Sequence, residues 1–318
     1  MHLTTRQELL AHGHTDGAIR RLVDLGSILR VGRGRYALSF PDDPRQFHLA
    51  MAQFEDEGVL TLETAALVHG LPVARVPAAV QLVLDGQRNQ LRGRWRQIRG
   101  EVLPEQDVVD VSGYTVTSVA RTIVDLARLR GAEDAIITWE AALWRARESA
   151  RLGELRQAVA EVLGRCRRRK GVVVARELAR FASSFSESPQ ESRSRLALSK
   201  VALPDPVQQF IVLDFNGRTI GRADFAWPEL GVLGEYDGQD KYDSLARPGE
   251  SPAEVVRREK RRQEQLESMG WVVVRWGIEE LRSPSQLRQR VDRALDTGRR
   301  RGLGGSLPGR LPTLDNLD

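Results

Sequence analysis

Three carboxylates in the stretch over residues 221–238 are spaced as a pocket for a divalent cation requires. Asp224 lies in an apolar run, and Glu235 and Asp237 lie in a second run that follows a break containing proline and glycine. Because side chains alternate along a strand, Glu235 and Asp237 are expected to project to one face, which Asp224 on the preceding strand can also reach. Convergent carboxylate oxygens suit Mg²⁺, which can turn a water into a nucleophile and stabilise a phosphate under attack.

Local signals predict the elements around these acids. A helix over about residues 187–200 has Ser188 as its N-cap, Pro189 at its first helical position and Glu191 in its first turn. Asn216 and Gly217 form a hairpin signal between two strands. The further predicted elements are strands over about 207–215, 220–227, 232–237 and 271–276, a basic helix over about 252–269 and a closing helix to about 295.

The order of these elements, with the phrases EYDG and MGWVVVRW, resembles the PD-(D/E)XK nuclease superfamily in its branch similar to very-short-patch-repair endonucleases. The resemblance covers roughly residues 186–297 and implies a restriction-endonuclease-like α/β domain that uses Mg²⁺ or Mn²⁺. It places the first metal-binding Asp at Asp224, the second acid at Glu235 and the acidic position of the first helix at Glu191.

One position departs from the superfamily's pattern. The usual Lys two residues after the second acid is Asp237 here, as is common in the branch that the sequence resembles. That Lys normally helps to hold the attacking water and the developing charge. Lys241 or Lys260 would have to supply this positive charge, while Asp237 and Glu191 would complete the metal shell or orient the water. A domain without such a substitute would keep binding or dimerisation and lose catalysis.

The helix over 252–269 combines a packing face with clustered cations. Val255 and Leu266 lie on the face that should pack on the sheet, and Glu259 and Gln263 fall on the same arc. Either the carboxylate pocket supplies partners for these two polar groups, or they lie at the helix margin and reach water. A solvated outer face suited to phosphates is predicted for Arg257, Arg258, Arg261 and Arg262.

The composition limits the class of protein. A chain of 318 residues, 41% of them hydrophobic, predicts two or three ordinary folded domains. A single cysteine excludes a disulfide framework or a zinc finger within the chain, and all five histidines precede residue 70, away from the C-terminal acids. No long apolar run or secretory signal is present, so we expect a cytoplasmic protein with no membrane partner. The net charge of +5 is modest, but almost all of the positive charge is arginine, and arginine clusters suit phosphate recognition, although genome composition can also produce an arginine bias.

The first 45 residues predict a winged helix-turn-helix. Thr4 or Thr5 begins a first helix, Thr15 caps a second helix, and strands on either side of residues 32–34 form the wing. In such modules the second helix lies in the major groove. The predicted DNA contacts are Arg20 and Arg21 at base edges, with Arg33 and Arg35 at phosphates or the minor groove. A winged helix can also serve only for docking to another protein.

The segment LTTRQELLAHGHTDGAIRRLVDLGSILRVGRGRYAL resembles the N-terminal domain of AbiEi-family antitoxins of type IV toxin–antitoxin systems. The phrase TSVARTIVDLAR recurs in that family on the C-terminal side of the winged helix. The resemblance implies a bacterial module that binds operator DNA and represses its own promoter, with a cognate toxin as a partner.

Residues 46–182 predict a mixed α/β middle domain with strands over 80–84 and 114–117. Arg121 and Asp125 are four residues apart, and a pair on a helix surface explains them most simply. The run RCRRRK at 165–170 is expected to be a solvated turn. The arginine-rich stretch over 87–99 either grips a nucleic-acid backbone, with Trp95 stacking on a base, or forms a solvated hairpin.

The sequence therefore predicts a multidomain α+β and α/β chain. Its segments are a winged helix over 1–45, the AbiEi-like middle domain over 46–182, the endonuclease-like domain over 183–297 and a disordered tail over 298–318. In one functional hypothesis, a Mg²⁺-dependent endonuclease is targeted to DNA by its winged helix. In the other, a transcriptional repressor or antitoxin-like protein keeps an inactive nuclease-like domain for binding or for forming a homodimer.

Overall fold

The computed structural model of the protein describes residues 3–38, 43–53, 55, 57–85, 91–93, 96–238 and 251–313. These residues form a mixed α/β structure with twelve α-helices and three β-sheets. The chain divides into two compact units. The first comprises Met1–Ala142 with Ser149–Ala182, and the second comprises Leu143–Glu148 with Ser183–Asp318.

Two short helices and a three-stranded antiparallel sheet open the first unit. The elements are β1 (Leu3–Thr5), α1 (Arg6–Ala11), α2 (Asp16–Asp24), β2 (Leu29–Gly32) and β3 (Arg35–Ala37), with β3 central in the sheet. Thr5 and Thr15 cap the two helices as predicted, because their hydroxyls accept the backbone N–H groups of Glu8 and Ala18 at 3.1 and 3.2 Å. Leu9, Ile19, Ile28 and Tyr36 form the small core between these elements.

A six-stranded mixed sheet forms the rest of the first unit. Its strands are β4 (Val59–Leu60), β5 (Val80–Leu84), β6 (Leu91–Arg92), β7 (Arg96–Gly100), β8 (Val108–Val111) and β9 (Tyr114–Thr117), in the order β6-β7-β5-β4-β9-β8. Its helices are α3 (Pro44–Ala52), α4 (Leu62–Val68), α5 (Val119–Arg130), α6 (Ala132–Glu148), α7 (Leu152–Arg165) and α8 (Val172–Phe181), of which α6 continues into the second unit. The predicted strands over 80–84 and 114–117 are confirmed.

The second unit contains a five-stranded sheet in the order β13-β12-β11-β10-β14. Its strands are β10 (Val207–Leu213), β11 (Thr219–Trp227), β12 (Val232–Tyr236), β13 (Val272–Trp276) and β14 (Gly309–Arg310). Its further helices are α9 (Pro189–Ser199), α10 (Pro252–Ser268), α11 (Ile278–Arg282) and α12 (Pro284–Arg301). Strands β12 and β13 are parallel and the other neighbouring pairs are antiparallel. The predicted closing helix is two helices, because Pro284 begins a new one.

Aromatic packing holds α9 against this sheet. Trp276 packs on Phe225 with ring centroids 5.5 Å apart, and its Nε1 donates a hydrogen bond to Ser194 Oγ of α9 at 2.9 Å. Leu198 of α9 lies in the same hydrophobic cluster. Gly234 makes room for the indole, since a Cβ atom at this position would lie 2.7 Å from the Trp276 ring. The residue after this glycine is Glu235, so the same packing determines where the second acid lies.

The prediction of a disordered tail over 298–318 is wrong for its described part. Helix α12 continues to Arg301, and β14 pairs with β10 through Gly309 and Arg310. Leu307 packs against the cluster that contains Phe210 and Trp271. A two-residue strand has no periodicity of its own, so its order comes from pairing with a distant strand and from burying one leucine.

Candidate carboxylate site and cationic surfaces

Glu191 lies in the first turn of α9 and is 8% exposed. One carboxylate oxygen accepts a hydrogen bond from Gln209 Nε2 at 2.7 Å and from the backbone N–H of Glu187 at 3.0 Å. The other oxygen accepts a hydrogen bond from Ser188 Oγ at 2.8 Å. Burial, followed by the charge of Asp224, raises the pKa of Glu191 to about 7. The sequence-predicted helix position and first-turn acid are therefore present, and the acid shares an electrostatic environment with Asp224.

Asp224 lies in β11 and is half-buried. Its Oδ2 accepts the backbone N–H of Tyr236, the last residue of β12, at 2.9 Å. Glu191 and Asp224 are thus two carboxylates from different elements whose negative charges oppose each other. A cation between two such groups would relieve the repulsion, as it does in paired-carboxylate sites.

Glu235 in β12 is 1% exposed, and arginines bind both of its oxygens. Arg275 Nε of β13 donates to Oε2 at 3.0 Å, and Arg262 Nη2 of α10 donates to Oε1. Arg275 also binds Glu259 Oε1 at 3.0 Å and Gln263 Oε1 at 2.7 Å. Two guanidinium groups therefore neutralise Glu235 and Glu259 in one hydrogen-bonded network. Burial lowers the pKa of Arg262, but the charges of Glu235 and Glu259 outweigh burial and raise it.

The structure corrects the predicted orientation of Arg262. This side chain is 19% exposed and points to Glu235, whereas its position along the sequence predicted a solvated outer face. The reason is helical spacing, since Val255 and Arg262 are seven residues apart and lie on the same side of α10. Glu259 and Gln263 find their partner in Arg275, which neither of the two alternatives for these residues named.

The remaining residues of the predicted site do not join this network. Lys260 is 77% exposed, and its Nζ lies 3.9 Å from Glu264 Oε1 on the surface of α10, so its role as a source of charge for the acids stays a prediction. Asp237 is exposed, follows the end of β12 and donates its backbone N–H to the carbonyl of Trp276 at 2.8 Å. Strand β12 ends at Tyr236, so the strand alternation that predicted one shared face for Glu235 and Asp237 does not extend to Asp237. Lys241 lies outside the described residues.

Within the described parts of the chain, no group of three or more His, Cys, Asp or Glu side chains is placed to hold a metal ion. Glu235 does not fit as a metal ligand in this arrangement, because its charge is already matched by two arginines. Glu191 and Asp224 are predicted site residues whose hydrogen bonds described above involve no arginine, and burial together with the charge of Asp224 raises the pKa of Glu191 to about 7.

The predicted DNA contacts of the first unit divide into two groups. Arg20, Arg21 and Arg33 are exposed, on α2 and on the β2–β3 turn. Arg35 is only 27% exposed, and its Nη1 lies 3.9 Å from Glu55 Oε1, so it faces the body of its unit. On α10 of the second unit, Arg257 and Arg261 are exposed and Arg258 is half-buried.

A buried ion-pair network in the first unit was not predicted. Arg121 is 2% exposed and binds Asp125 at 2.9 Å, Asp107 at 3.1 Å and Glu101 at 2.5 Å. The expectation of a surface pair is therefore half right, because Arg121 and Asp125 do pair but lie inside. Arg121, Asp125 and Arg128 share one face of α5 at helical spacing, so the pattern in the sequence is the same for a solvated face and for this buried network.

The run at 165–170, expected to be a solvated turn, supplies two more arginines to this network. Arg165 Nη2 lies 2.5 Å from Asp107, and Arg169 Nη1 lies 3.3 Å from Glu101. Of the stretch over 87–99, residues 87–90, 94 and 95 are outside the described residues, so the alternatives for Trp95 stay open.

Two curated proteins of Mycobacterium tuberculosis, from two strains, are similar to almost the whole chain. Uncharacterized protein Rv2248 and Uncharacterized protein MT2308 are each 32% identical over 281 residues, which cover 87% of this chain and 96% of theirs. The chain belongs to the family of these mycobacterial proteins. No family model matches the chain. Among the described residues, no helix combines the length and apolar composition needed to cross a membrane.

Proposed function

We propose that this protein is a DNA-binding regulator that recognises duplex DNA through its first 45 residues. Its second unit is a nuclease-like domain that contacts the nucleic-acid backbone and does not cut it. One observation favours the regulator over the metal-dependent nuclease. Both oxygens of Glu235, the acid that aligns with the second metal ligand of the nuclease pattern, are bound by Arg262 and Arg275.

The energetics of Glu235 and its two arginines favour a structural role for this acid. Glu235 is buried, and a buried carboxylate is held in place only when cations or hydrogen-bond donors satisfy it. Releasing it to bind a metal would leave Arg262 and Arg275 short of a partner in a buried site. Of the two lysines expected to supply charge to the acids, Lys260 is 77% exposed on α10 and Lys241 lies outside the described residues.

DNA binding is supported by the arrangement of the first helices and strands. Helix α2 follows α1 after a short turn, and the β2–β3 hairpin follows α2, which is the element order of a winged helix-turn-helix. Arg20 and Arg21 are exposed on α2, and Arg33 is exposed between β2 and β3. In this kind of module the second helix reads the major groove and a cationic wing contacts the backbone.

The DNA-binding proposal is tested by fluorescence anisotropy with duplex DNA from the region upstream of the protein's own gene. Replacing Arg20 and Arg21 together by Gln is expected to weaken binding by at least about tenfold. The matched control replaces Arg156 and Arg167, two exposed arginines of the same unit, by Gln and should leave binding almost unchanged. Equal loss in both double variants, or no binding by the wild type to any duplex, would reject the proposal.

Metal-dependent phosphodiester hydrolysis is the second candidate function, and the Glu191–Asp224 pair favours it. These two carboxylates would hold Mg²⁺ or Mn²⁺, which would supply an activated water and stabilise charge on the phosphate. Ser188 and Gln209 orient Glu191 by donating to its two oxygens. Exposed Arg257 and Arg261 on α10 are available for backbone phosphates.

A cleavage assay separates the two functions. Purified protein is incubated with duplex DNA, single-stranded DNA or RNA in the presence of Mg²⁺ or Mn²⁺, beside Asp224→Ala and Glu191→Ala. The regulator proposal expects no cleavage above a metal-free control. Cleavage by the wild type that disappears in Asp224→Ala would replace that proposal with the nuclease function.

A further inference from the structure

Helix α2, which carries the proposed base contacts, begins with an acid that an arginine holds by two hydrogen bonds. Arg6 donates from Nε to Asp16 Oδ1 at 2.8 Å and from Nη2 to Asp16 Oδ2 at 2.6 Å. Two parallel hydrogen bonds between planar groups fix the carboxylate in direction as well as in position. Both side chains stay open to solvent, at 51% and 62% exposure, so the pair is also accessible to a ligand.

The backbone of Arg6 connects the same pair to the wing. Its N–H donates to the carbonyl of Gly34, in the β2–β3 turn, at 2.7 Å. Gly34 has a φ of +70°, and a Cβ atom at this position would lie 3.7 Å from the Cβ of Arg6, so the turn lies directly against Arg6. One residue therefore sets the position of the wing through its main chain and the position of the first α2 residue through its side chain.

An acid on a DNA-binding surface is repelled by phosphates unless its charge is balanced. The charge of Asp16 is balanced by Arg6, and it lies at the positive end of the α2 dipole. The hydrogen bonds from Arg6 are the main reason that the pKa of Asp16 lies below its usual range, and the charge of Arg20, one helical turn away, lowers it further. Asp16 is therefore a fixed hydrogen-bond acceptor at neutral pH, beside an arginine that is expected at base edges.

We propose that Asp16 determines base specificity by accepting a hydrogen bond from the N4 amino group of a cytosine in the major groove, and that Arg6 is its positioning residue. This assignment rests on the proposed DNA-binding function of the first 45 residues. Residues at the start of the second helix of such modules meet base edges, and carboxylates accept from cytosine N4. Each oxygen of Asp16 accepts one hydrogen bond from Arg6 and has a second acceptor position for the base. Guanine and thymine offer only acceptors in this groove, and adenine places its N7 acceptor beside its amino group.

Selection of bound sequences from a random duplex pool tests the assignment, with the full chain as wild type, Asp16→Asn and Asp24→Asn. The wild type is expected to enrich a motif with a C·G pair that Asp16→Asn no longer selects, while the other positions of the motif persist. Asn keeps the size of the side chain and replaces one carboxylate oxygen by an NH₂ group, which cannot accept from an amino group. Asp24→Asn is the matched control and should keep the whole motif, because it removes the same charge from an exposed residue at the other end of α2.

Fluorescence anisotropy with the selected duplex separates this role from net charge. Asp16→Asn should weaken binding to the selected duplex by about tenfold. The same variant should bind a duplex with T·A in place of the C·G pair at least as tightly as the wild type does, because it has one negative charge fewer. Asp24→Asn should strengthen binding to both duplexes.

Arg6→Lys tests the positioning role. Lysine keeps the positive charge but cannot form the two parallel hydrogen bonds, so this variant should lose discrimination between the two duplexes as Asp16→Asn does. Because the Arg6–Asp16 pair is exposed, both variants should unfold close to the wild-type temperature, which separates lost recognition from lost folding.

Three outcomes would overturn the assignment while DNA binding itself stands. The first is a wild-type motif that Asp16→Asn leaves unchanged, and the second is an equal gain in affinity for both duplexes in Asp16→Asn and Asp24→Asn. The third is a base pair other than C·G at the position that Asp16→Asn no longer selects. A wild-type protein that binds no duplex would instead reject the DNA-binding function, and this assignment with it.

Discussion

Replacing Glu191 by Gln is expected to stabilise the protein at neutral and alkaline pH, and the gain should shrink in acid. In the folded protein, burial and the charge of Asp224 raise the pKa of Glu191 from 4.5 to about 7. The folded state therefore binds the proton more tightly than the unfolded state does. The resulting stabilisation is fully present below the unfolded pKa and is lost as the pH rises through the folded pKa.

The magnitude follows from the shift in the pKa. Since one pKa unit corresponds to about 1.36 kcal/mol, ionising Glu191 in the folded state costs roughly 3 kcal/mol relative to the unfolded chain. Between about pH 5 and pH 8, the stability difference between Glu191→Gln and wild type should grow by about 2.5 kcal/mol. The amide can keep the present contacts, because its oxygen can accept from Glu187 and Gln209 while its NH₂ group donates to Ser188.

The measurement is urea unfolding of wild type and variant at a series of pH values. Glu264→Gln, on the exposed side of α10, is the control and should show a small difference throughout. In an Asp224→Asn background the pH-dependent gain should be smaller, because one of the two causes of the raised pKa is gone. A Glu191→Gln stability difference that is the same at both ends of the pH range would refute the reasoning.

Three further predictions concern packing, the arginine network and DNA binding. Gly234→Ala should destabilise the protein by about 1–3 kcal/mol in thermal unfolding, since the new Cβ would lie 2.7 Å from the Trp276 ring. Gly153→Ala is the control and should not destabilise it, because Gly153 lies in α7 with open space around it. Arg275→Gln should lower the free energy of unfolding in urea by about 3 kcal/mol, because it leaves Glu235 buried and underpaired. Exposed Arg282→Gln is the control, and an equal loss in both variants would contradict a stabilising role for the arginine network. Wild-type DNA affinity should fall steeply with salt, and Arg21→Gln should reduce the slope of log affinity against log salt by about one unit; an unchanged slope would place Arg21 outside the interface.

Local sequence signals were sufficient for many elements of the fold. The capped start of α9 at Ser188 and Pro189 was predictable from residue types alone, and the span predicted for α10 agrees with Pro252–Ser268. The alternation of apolar residues marked β11 and β12 within a residue or two. These features depend on neighbours in the chain, which is why they can be predicted without the fold.

The partners of charged side chains depended on tertiary structure. Arg262 turns inward because Glu235, 27 residues earlier, reaches the face of α10. Arg121 is buried because acids from three different segments surround it, and β14 is ordered because β10 offers an open edge. A helix pattern specifies which side chains share a face, but burying a charge requires a counter-charge whose position only the folded chain determines. The sequence alone therefore determined the order of the elements and the acids' places along them, and the tertiary structure decided which acids face a cation and which face each other.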